Sequence, residues 1–166
     1  MKLGALVAAW SAIVFGGCAL LSQGQYDGIE RGWLDRSVFE KSQYAEWKTR
    51  YDTTQIAPEM VDLLRQVHAG VNVLVFFGTW CPDSRNEVPK FLKIADLSGI
   101  AADSVKLYGL DRSKKSPEGL TEKYSITRVP TFIFLKNGEE VGRITEFPQT
   151  TLEGDMLAIC AGAQPK

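Results

Sequence analysis

Apolar residues recur at helical spacing in four parts of the chain, and each of these stretches has a recognisable start or end. Apolar positions spaced three and four residues apart after Pro58 predict a helix that stops before Gly70. The same spacing predicts a longer helix over Pro82–Leu97 and a closing helix from about Thr150 to Ala161. A short helix is expected after Pro117, because proline suits the first helical turn.

Other apolar stretches are continuous or β-branched and predict strands. "VNVLVFF", Val71–Phe77, is typical of a strand buried on both faces of a sheet. Val105–Asp111 predicts another strand, and β-branched residues favour a short first strand over Asp52–Ile56. Asn137-Gly138 lies between two further apolar runs, which is the strongest short signal for a β-hairpin.

The order of these elements indicates the fold class. Helix, strand, helix, strand and helix are followed by a β-hairpin and a last helix. An initial parallel βαβ unit followed by an antiparallel hairpin favours one α/β domain, with a mixed central sheet and helices on both of its faces.

The chain divides into four segments by composition. We predict a signal peptide over residues 1–17, a tether over 18–32, an aromatic helical extension over 33–51 and the main domain over 52–166. In the extension, Tyr44, Trp47 and Tyr51 share one helical face. That face predicts a helix packed on the domain, and the alternative is an aromatic surface for a partner.

The N-terminal segment indicates export. Lys2 precedes an uncharged apolar run that is short for a membrane span and of the right length for a signal peptide. The run ends in "VFGGC", which resembles a bacterial lipobox, although Phe15 stands where leucine is usual. The resemblance implies lipidation of Cys18, a membrane anchor and an address on the periplasmic side of the cell envelope. Ala19 favours the outer membrane, and the alternatives are an ordinary cleaved signal or an uncleaved anchor.

Composition and charge exclude several classes of function. The chain has 166 residues, 45% of them hydrophobic, and a formal net charge of −1, which suits one domain with a real core. The near-neutral charge shows no excess of basic residues of the kind that binds nucleic acid. One histidine and three scattered cysteines predict no metal site, and the absence of phosphate-binding glycine loops predicts no nucleotide cofactor.

The candidate chemistry lies in "GTWCPDSRNEVP", Gly78–Pro89, where a strand is expected to meet a helix. Pro82, Asp83 and Ser84 each suit the first turn of a helix for structural reasons. Cys81 has no such reason, since oxygen side chains cap helices better. A cysteine at a helix N-terminus is favoured as the thiolate, because free N–H groups and the helix dipole stabilise its charge.

Two motifs together carry a family resemblance. "VLVFFGTWCPDS", followed about fifty residues later by "RVPTFIFLKNGEEVGRI", resembles the thioredoxin superfamily over Asp52–Ala161. Among its members, the chain looks most like bacterial thioredoxin-like proteins that carry "GTWCxDSxxEVPxF". The resemblance implies a thioredoxin-like fold and makes Cys81 the attacking cysteine, flanked by Trp80. It also implies that Pro130 is a cis-proline in a substrate-binding loop, with Val129 and Thr131 beside it.

Two departures from the family pattern shape the functional hypothesis. Ser84 stands at the position of the resolving cysteine, and Val75 stands where the family has a buried acid. His68, the one histidine, is expected at a helix end rather than as a catalytic base. We therefore expect a monothiol thiol–disulfide oxidoreductase of the deglutathionylating or isomerase type, in which Cys81 and Ser84 are the catalytic residues.

Asp83, Trp80 and the proline loop are the expected substrate-binding residues of that enzyme, and its partners would be protein or glutathione thiols and disulfides. The alternative is a redox-inactive binding module that kept the fold. A one-cysteine peroxidase is disfavoured, because the threonine and proline setting before its cysteine is missing. Cys160 is interpreted as a core residue of the last helix, although a disulfide with Cys81 or a resolving role stays open.

Overall fold

The computed structural model describes residues 27–163, in which five strands form one mixed sheet in the order β1-β3-β2-β4-β5. The signal peptide, most of the tether and Cys18 lie outside the described residues. Within residues 27–163, no helix has the length and apolar content that a membrane crossing needs. The strands are β1 Gly32–Leu34, β2 Val71–Phe77, β3 Val105–Gly109, β4 Thr131–Lys136 and β5 Glu139–Thr145.

The described part of the chain also has five α-helices and three short 3₁₀ turns, and the last helix follows the final strand. The 3₁₀ turns cover Arg36–Glu40, Ser42–Tyr44 and Ala102–Ser104. The helices are α1 Ala45–Thr53, α2 Pro58–Val67, α3 Pro82–Ser98, α4 Leu120–Lys123 and α5 Leu152–Cys160.

The pairing of the strands confirms the α/β fold class with a mixed sheet. β2 pairs parallel with β3 and antiparallel with β4, and β5 closes the hairpin beside β4. Asn137 and Gly138 form the hairpin turn, both with positive φ, as the Asn-Gly signal predicts. The central strand β2 has the bounds that its apolar run predicts.

The core lies on both faces of the sheet, because neighbouring residues of a strand point to opposite faces. Val75 and Phe77 belong to one buried cluster, which α1, α2, α3 and α5 cover. Phe76 belongs to a second cluster that includes Cys81, and Leu120 of α4 packs against it. The candidate cysteine therefore lies on the face opposite to most of the helices.

The first strand is not where the β-branched residues predict it. Asp52 and Thr53 belong to α1, so the predicted strand over Asp52–Ile56 is wrong. The threonine side chains complete the end of the helix instead: the hydroxyl of Thr53 donates to the carbonyl of Thr49 at 2.8 Å, and that of Thr54 donates to the carbonyl of Arg50 at 2.6 Å. Local side-chain bonds to the helix carbonyls outweigh β-propensity here.

The strand that does come first, β1, lies across the boundary between the expected tether and the expected helical extension. It pairs antiparallel with β3, with Gly32 opposite Gly109. A side chain on Gly109 would meet the backbone, because a Cβ atom there would lie 2.5 Å from the carbonyl oxygen of Glu30. Glycine at this position therefore lets the N-terminal segment pack directly on β3.

The aromatic segment after β1 packs into the main core, but only Ala45–Thr53 of it is α-helical, so the helix predicted over 33–51 begins later than expected. Trp47 is 3% exposed, and its ring stacks on Phe39 with 4.8 Å between the centroids. The guanidinium of Arg36 donates two hydrogen bonds to the carboxylate of Asp96 in α3, and the hydroxyl of Tyr51 donates to the same carboxylate at 2.6 Å. The segment is thus joined to α3 through both apolar and polar contacts.

Replacing Trp47 by alanine is expected to lower the free energy of unfolding by about 3–5 kcal/mol, because it opens a cavity in the core. The matched control is Trp33→Ala. Trp33 is 53% exposed and makes an edge contact with Tyr108, so its loss should cost about 1 kcal/mol. Urea unfolding of both variants measures the difference. Equal small effects would show that the aromatic segment contributes little to the stability of the fold.

Candidate functional site

Cys81 lies where β2 gives way to α3, with only 6% of the residue exposed. It is the N-cap residue of the helix, in an extended conformation, and its side chain makes no capping bond. Its backbone N–H donates to the carbonyl of Gly78 at 3.0 Å, and its carbonyl accepts the first helical bond from Arg85 at 3.1 Å. Pro82 follows at the first helical position, where its missing N–H costs nothing.

The loop before β4 lies directly against this cysteine. The thiol of Cys81 donates to the carbonyl oxygen of Val129 with Sγ and O 3.3 Å apart, and the Val129-Pro130 peptide bond is cis. The hydroxyl of Thr131 donates to the carbonyl of Arg128 at 2.8 Å and holds the loop from the other side. The two motifs meet because β4 pairs with β2, where Phe76 faces Thr131.

Trp80 is fixed beside the thiol by two contacts. Its indole N–H donates to the carbonyl of Leu110 at 2.9 Å, and the guanidinium of Arg112 lies 4.9 Å from the indole centroid. Glycine is required at position 78, because a Cβ atom there would lie 2.6 Å from the indole nitrogen. Trp80 is therefore held in the turn after β2 by the loop that follows β3.

Ser84 is fully buried and bonds to the chain rather than to the thiol. Its hydroxyl oxygen accepts from the backbone N–H of Gly78 at 3.2 Å, whereas the thiol of Cys81 bonds to the carbonyl of Val129. The serine thus fastens the turn that precedes the cysteine. Asp83 lies half-buried in the first turn of α3, as its position predicts.

A contact that the sequence did not reveal holds the same turn from the N-terminal side. The backbone N–H of Glu30 donates to the hydroxyl of Thr79 at 3.3 Å, and that hydroxyl lies 3.4 Å from the carbonyl oxygen of Gly28. The carboxylate of Glu30 accepts from the hydroxyl of Tyr44 at 3.2 Å and from the ammonium of Lys41 at 2.7 Å. Glu30 and Gly28 lie 49 and 51 positions from Thr79 in a polar, glycine-containing stretch, so no local pattern predicts these contacts.

No acidic side chain contacts the thiol among the described residues. Val75 is completely buried and apolar, so the position of the family's acid is part of the core. His68 caps the C-terminal end of α2, where its sequence position predicts it. Across residues 27–163, no group of three or more histidine, cysteine or acidic residues could hold a metal ion. The site therefore offers one thiol, one carbonyl acceptor and a fixed indole.

Cys160 lies apart from this site. Both cysteines of the described chain are free, and they belong to core clusters on opposite faces of the sheet. The alternative of a Cys81–Cys160 disulfide is therefore not realised in this structure. Burial raises the pKa of the Cys160 thiol to about 11, although Lys136 nearby acts in the opposite direction. Cys160 is thus a core residue with little thiolate at neutral pH.

This fold and this site, a cysteine at the start of a helix against a cis-proline loop, define a protein of the thioredoxin-fold class. The chain matches the thioredoxin family over residues 37–158, and it belongs to that family. The match begins inside the aromatic segment, which agrees with the packing of that segment into the core. Family membership supports a function of the thiol–disulfide oxidoreductase type, with thiols and disulfides of proteins as substrates.

Individual relatives agree with this assignment. The chain is 34% identical over 85 residues to thioredoxin from Malassezia sympodialis, a match that covers 50% of this chain and 77% of that protein. It is 32% identical to thioredoxin from Echinococcus granulosus, with 50% and 74% covered. An HIV epitope-scaffold protein shares the fold, with a TM-score of 0.55 and 18% identity over 72% of this chain and 82% of that one.

Proposed function

We propose that the protein catalyses thiol–disulfide exchange through Cys81 alone. One observation carries this proposal: Cys81 lies against the cis-proline loop, 3.3 Å from the carbonyl of Val129, while the position of a second thiol is taken by Ser84. Ser84 is bound to the backbone of Gly78, so it stabilises the turn and takes no part in electron transfer. A cycle with an internal disulfide cannot run in this motif.

The reaction has two exchange steps, which balance without any oxidant. The thiolate of Cys81 attacks one sulfur of a substrate disulfide, a mixed disulfide forms, and the other sulfur leaves as a thiolate that takes up a proton. An external thiol such as glutathione then attacks the substrate sulfur of the mixed disulfide and releases Cys81. Overall, one disulfide and one thiol become a new disulfide and a new thiol.

The surrounding residues have separate roles in this scheme. Cys81 is the N-cap residue of α3 and its side chain makes no capping bond, so the sulfur is not engaged by the helix. In the resting state the thiol of Cys81 donates a hydrogen bond to the carbonyl of Val129. Trp80, Pro130 and Thr131 frame the position of the substrate sulfur, and Asp83 lies in the turn beside it. Substrate has to displace the loop contact, because Cys81 is 6% exposed.

Intact-mass spectrometry after incubation with oxidised glutathione tests the proposal. One glutathione per chain on Cys81, removed again by reduced glutathione, is the expected result. A protein that accepts no glutathione and no disulfide peptide would contradict monothiol exchange.

A second candidate function is a redox-inactive binding module. The nearly complete burial of Cys81 and the lack of an acidic side chain against its thiol favour it, because burial limits access to the sulfur and no acidic side chain among residues 27–163 is placed to accept the thiol proton. In that case the proline loop would bind an unmodified polypeptide segment. Equal binding of a partner by the natural chain and by Cys81→Ser would support this alternative.

We also propose that the protein acts on the periplasmic side of the bacterial cell envelope, as an outer-membrane lipoprotein anchored through Cys18. The support is the N-terminal sequence: an apolar run that ends in "VFGGC". Two or more acyl chains would give stable anchoring, because each buried methylene contributes about 0.8 kcal/mol.

Replacing Cys18 by alanine is expected to remove the anchor. Labelled palmitate should be incorporated into the natural chain and not into Cys18→Ala, and the variant should leave the membrane fraction. Cys160→Ala is the matched control and should be labelled like the natural chain. Labelling that persists in Cys18→Ala would contradict lipidation at this residue.

A further inference from the structure

We propose that the loop Arg112–Lys115, called here the basic loop, selects acidic polypeptide segments as disulfide substrates of Cys81. This inference rests on the proposed exchange function and adds the charge of the substrate to it. The basic loop follows β3, and Cys81 follows β2. Because β2 and β3 are parallel, both lie at the carboxyl edge of the sheet.

The basic loop is attached to the residue that flanks the thiol. The carbonyl of Leu110 accepts the indole N–H of Trp80 at 2.9 Å, and the guanidinium of Arg112 lies 4.9 Å from the indole centroid. The backbone N–H of Leu110 donates to the carbonyl of Phe77 at 2.7 Å. These three contacts hold the chain after β3 to the end of β2 and to Trp80, and they place the guanidinium of Arg112 beside the residue that precedes Cys81.

The acid that precedes the basic loop, Asp111, is already bound by its neighbours. Asp111 accepts from the backbone N–H and the hydroxyl of Ser113 at 2.9 and 2.6 Å and from the guanidinium of Arg31 at 3.1 Å. Arg31 also pairs with Asp27 at 2.7 Å. Bonds from Ser113 and then from Arg31 lower the pKa of Asp111, so it stays charged and engaged.

Three cations remain available on the basic loop. Arg112, Lys114 and Lys115 form no ion pair with an acidic side chain anywhere in residues 27–163, whereas Arg31, Arg128 and Arg143 all do. Arg112 and Lys115 are exposed and Lys114 is half-buried. These three side chains together carry a charge of about +3 that is not paired within residues 27–163, and this charge attracts negative groups most strongly at low ionic strength.

A groove of about 460 Å³ extends this surface toward the proline loop. Lys114 and Lys115 line one side, and the segment Ser125–Thr127, which leads to Val129, lines the other. Hydroxyl groups of Ser113 and Thr121 line it as well, together with one acid, Glu122, whose carboxylate accepts from Thr121 at 2.9 Å. This open surface carries two lysines against one acid, and that charge balance favours an acidic polypeptide segment as the occupant.

The test compares two disulfide peptides that are identical except for flanking aspartates or flanking lysines. Natural protein should react with the acidic peptide about 5–10-fold faster at low salt, and 0.5 M salt should remove most of the difference. In Lys114→Gln/Lys115→Gln the preference should fall below about 2-fold. The matched control, Arg50→Gln/Lys106→Gln, removes two exposed cations on α1 and at the start of β3 and should keep the preference.

The possible outcomes separate this inference from the proposed function. If a small neutral disulfide reacts with Cys81 but the two peptides react equally, the charge selection is wrong and the exchange function stands. If no disulfide reacts, the exchange function is wrong, and fluorescence anisotropy with Cys81→Ser then tests binding of the acidic peptide by itself. Binding to vesicles of anionic phospholipid that the glutamine variant loses, without any peptide preference, would overturn the acidic-substrate assignment in favour of a membrane surface.

Discussion

Replacing Cys81 by serine is expected to abolish mixed-disulfide formation while leaving the fold intact. The substitution removes the one atom that attacks the substrate, and no second thiol lies in the motif. A serine hydroxyl is nearly the size of the thiol and can still donate to the carbonyl of Val129, so the free energy of unfolding should change by about 1 kcal/mol or less. Glutathione incorporation followed by mass spectrometry measures the loss.

The control for this experiment is Cys160→Ser. Because burial raises the pKa of Cys160 to about 11, its thiolate fraction at pH 8 is about 0.1%, and it should contribute almost no labelling. Cys160→Ser should therefore react like the natural chain. If Cys81→Ser kept the labelling and Cys160→Ser lost it, the reactive thiol would be the one in α5, and the site assigned here would be wrong.

The elements predicted correctly from the sequence are those with strong local signals. β2 has seven residues, all of them apolar except Asn72, and its bounds agree with the prediction. The β4–β5 hairpin was predicted from Asn137-Gly138, because few other residue pairs adopt two successive positive φ values. α3 begins at Pro82 as predicted and ends one residue after the predicted end.

The elements that could not be predicted depend on distant contacts. β1 has only three residues and exists because it pairs with β3, about 75 positions further along the chain. β1 can approach β3 because Gly109 in β3 has no side chain, and no local pattern near Gly32 reveals this. The threonines after Tyr51 were interpreted as strand residues, since their bonds to helix carbonyls become visible only in the structure.

The candidate site divides in the same way. Cys81, Trp80 and the Val129-Pro130 loop could be recognised because two motifs stand in the right order, and the structure brings all of them together. The partner of Ser84 could not be foreseen, because a serine at a helix start can bond to the thiol, to the helix or to the preceding turn. The contact of Glu30 with Thr79 joins segments 49 positions apart, so it depends on the tertiary fold and could not be predicted from the sequence.

Replacing Ser84 by cysteine is expected to change the chemistry from one thiol to two. Residues three apart at a helix start lie about 5–6 Å from each other, within the range that a disulfide spans. A mixed disulfide on Cys81 would then be resolved from within the protein. Relative to 1 mM external thiol, release should be about 100-fold faster, because a neighbouring thiol acts at a high effective concentration. Stopped-flow measurement of glutathione release gives the rate.

Ser84→Ala is the matched control, because it removes the same hydroxyl without adding a thiol. Both variants lose the acceptor for the buried N–H of Gly78. The free energy of unfolding of each should therefore be about 1–3 kcal/mol lower than that of the natural chain. Only Ser84→Cys should accelerate release and form an internal disulfide on oxidation. If Ser84→Cys releases glutathione as slowly as Ser84→Ala, the introduced thiol does not reach Cys81. Ser84 then has a structural role only, because a thiol at its position cannot resolve the mixed disulfide. If both variants release glutathione rapidly, the turn held by the serine hydroxyl limits access to Cys81 in the natural chain. The absence of a resolving cysteine would then not explain why release by the natural chain is slow.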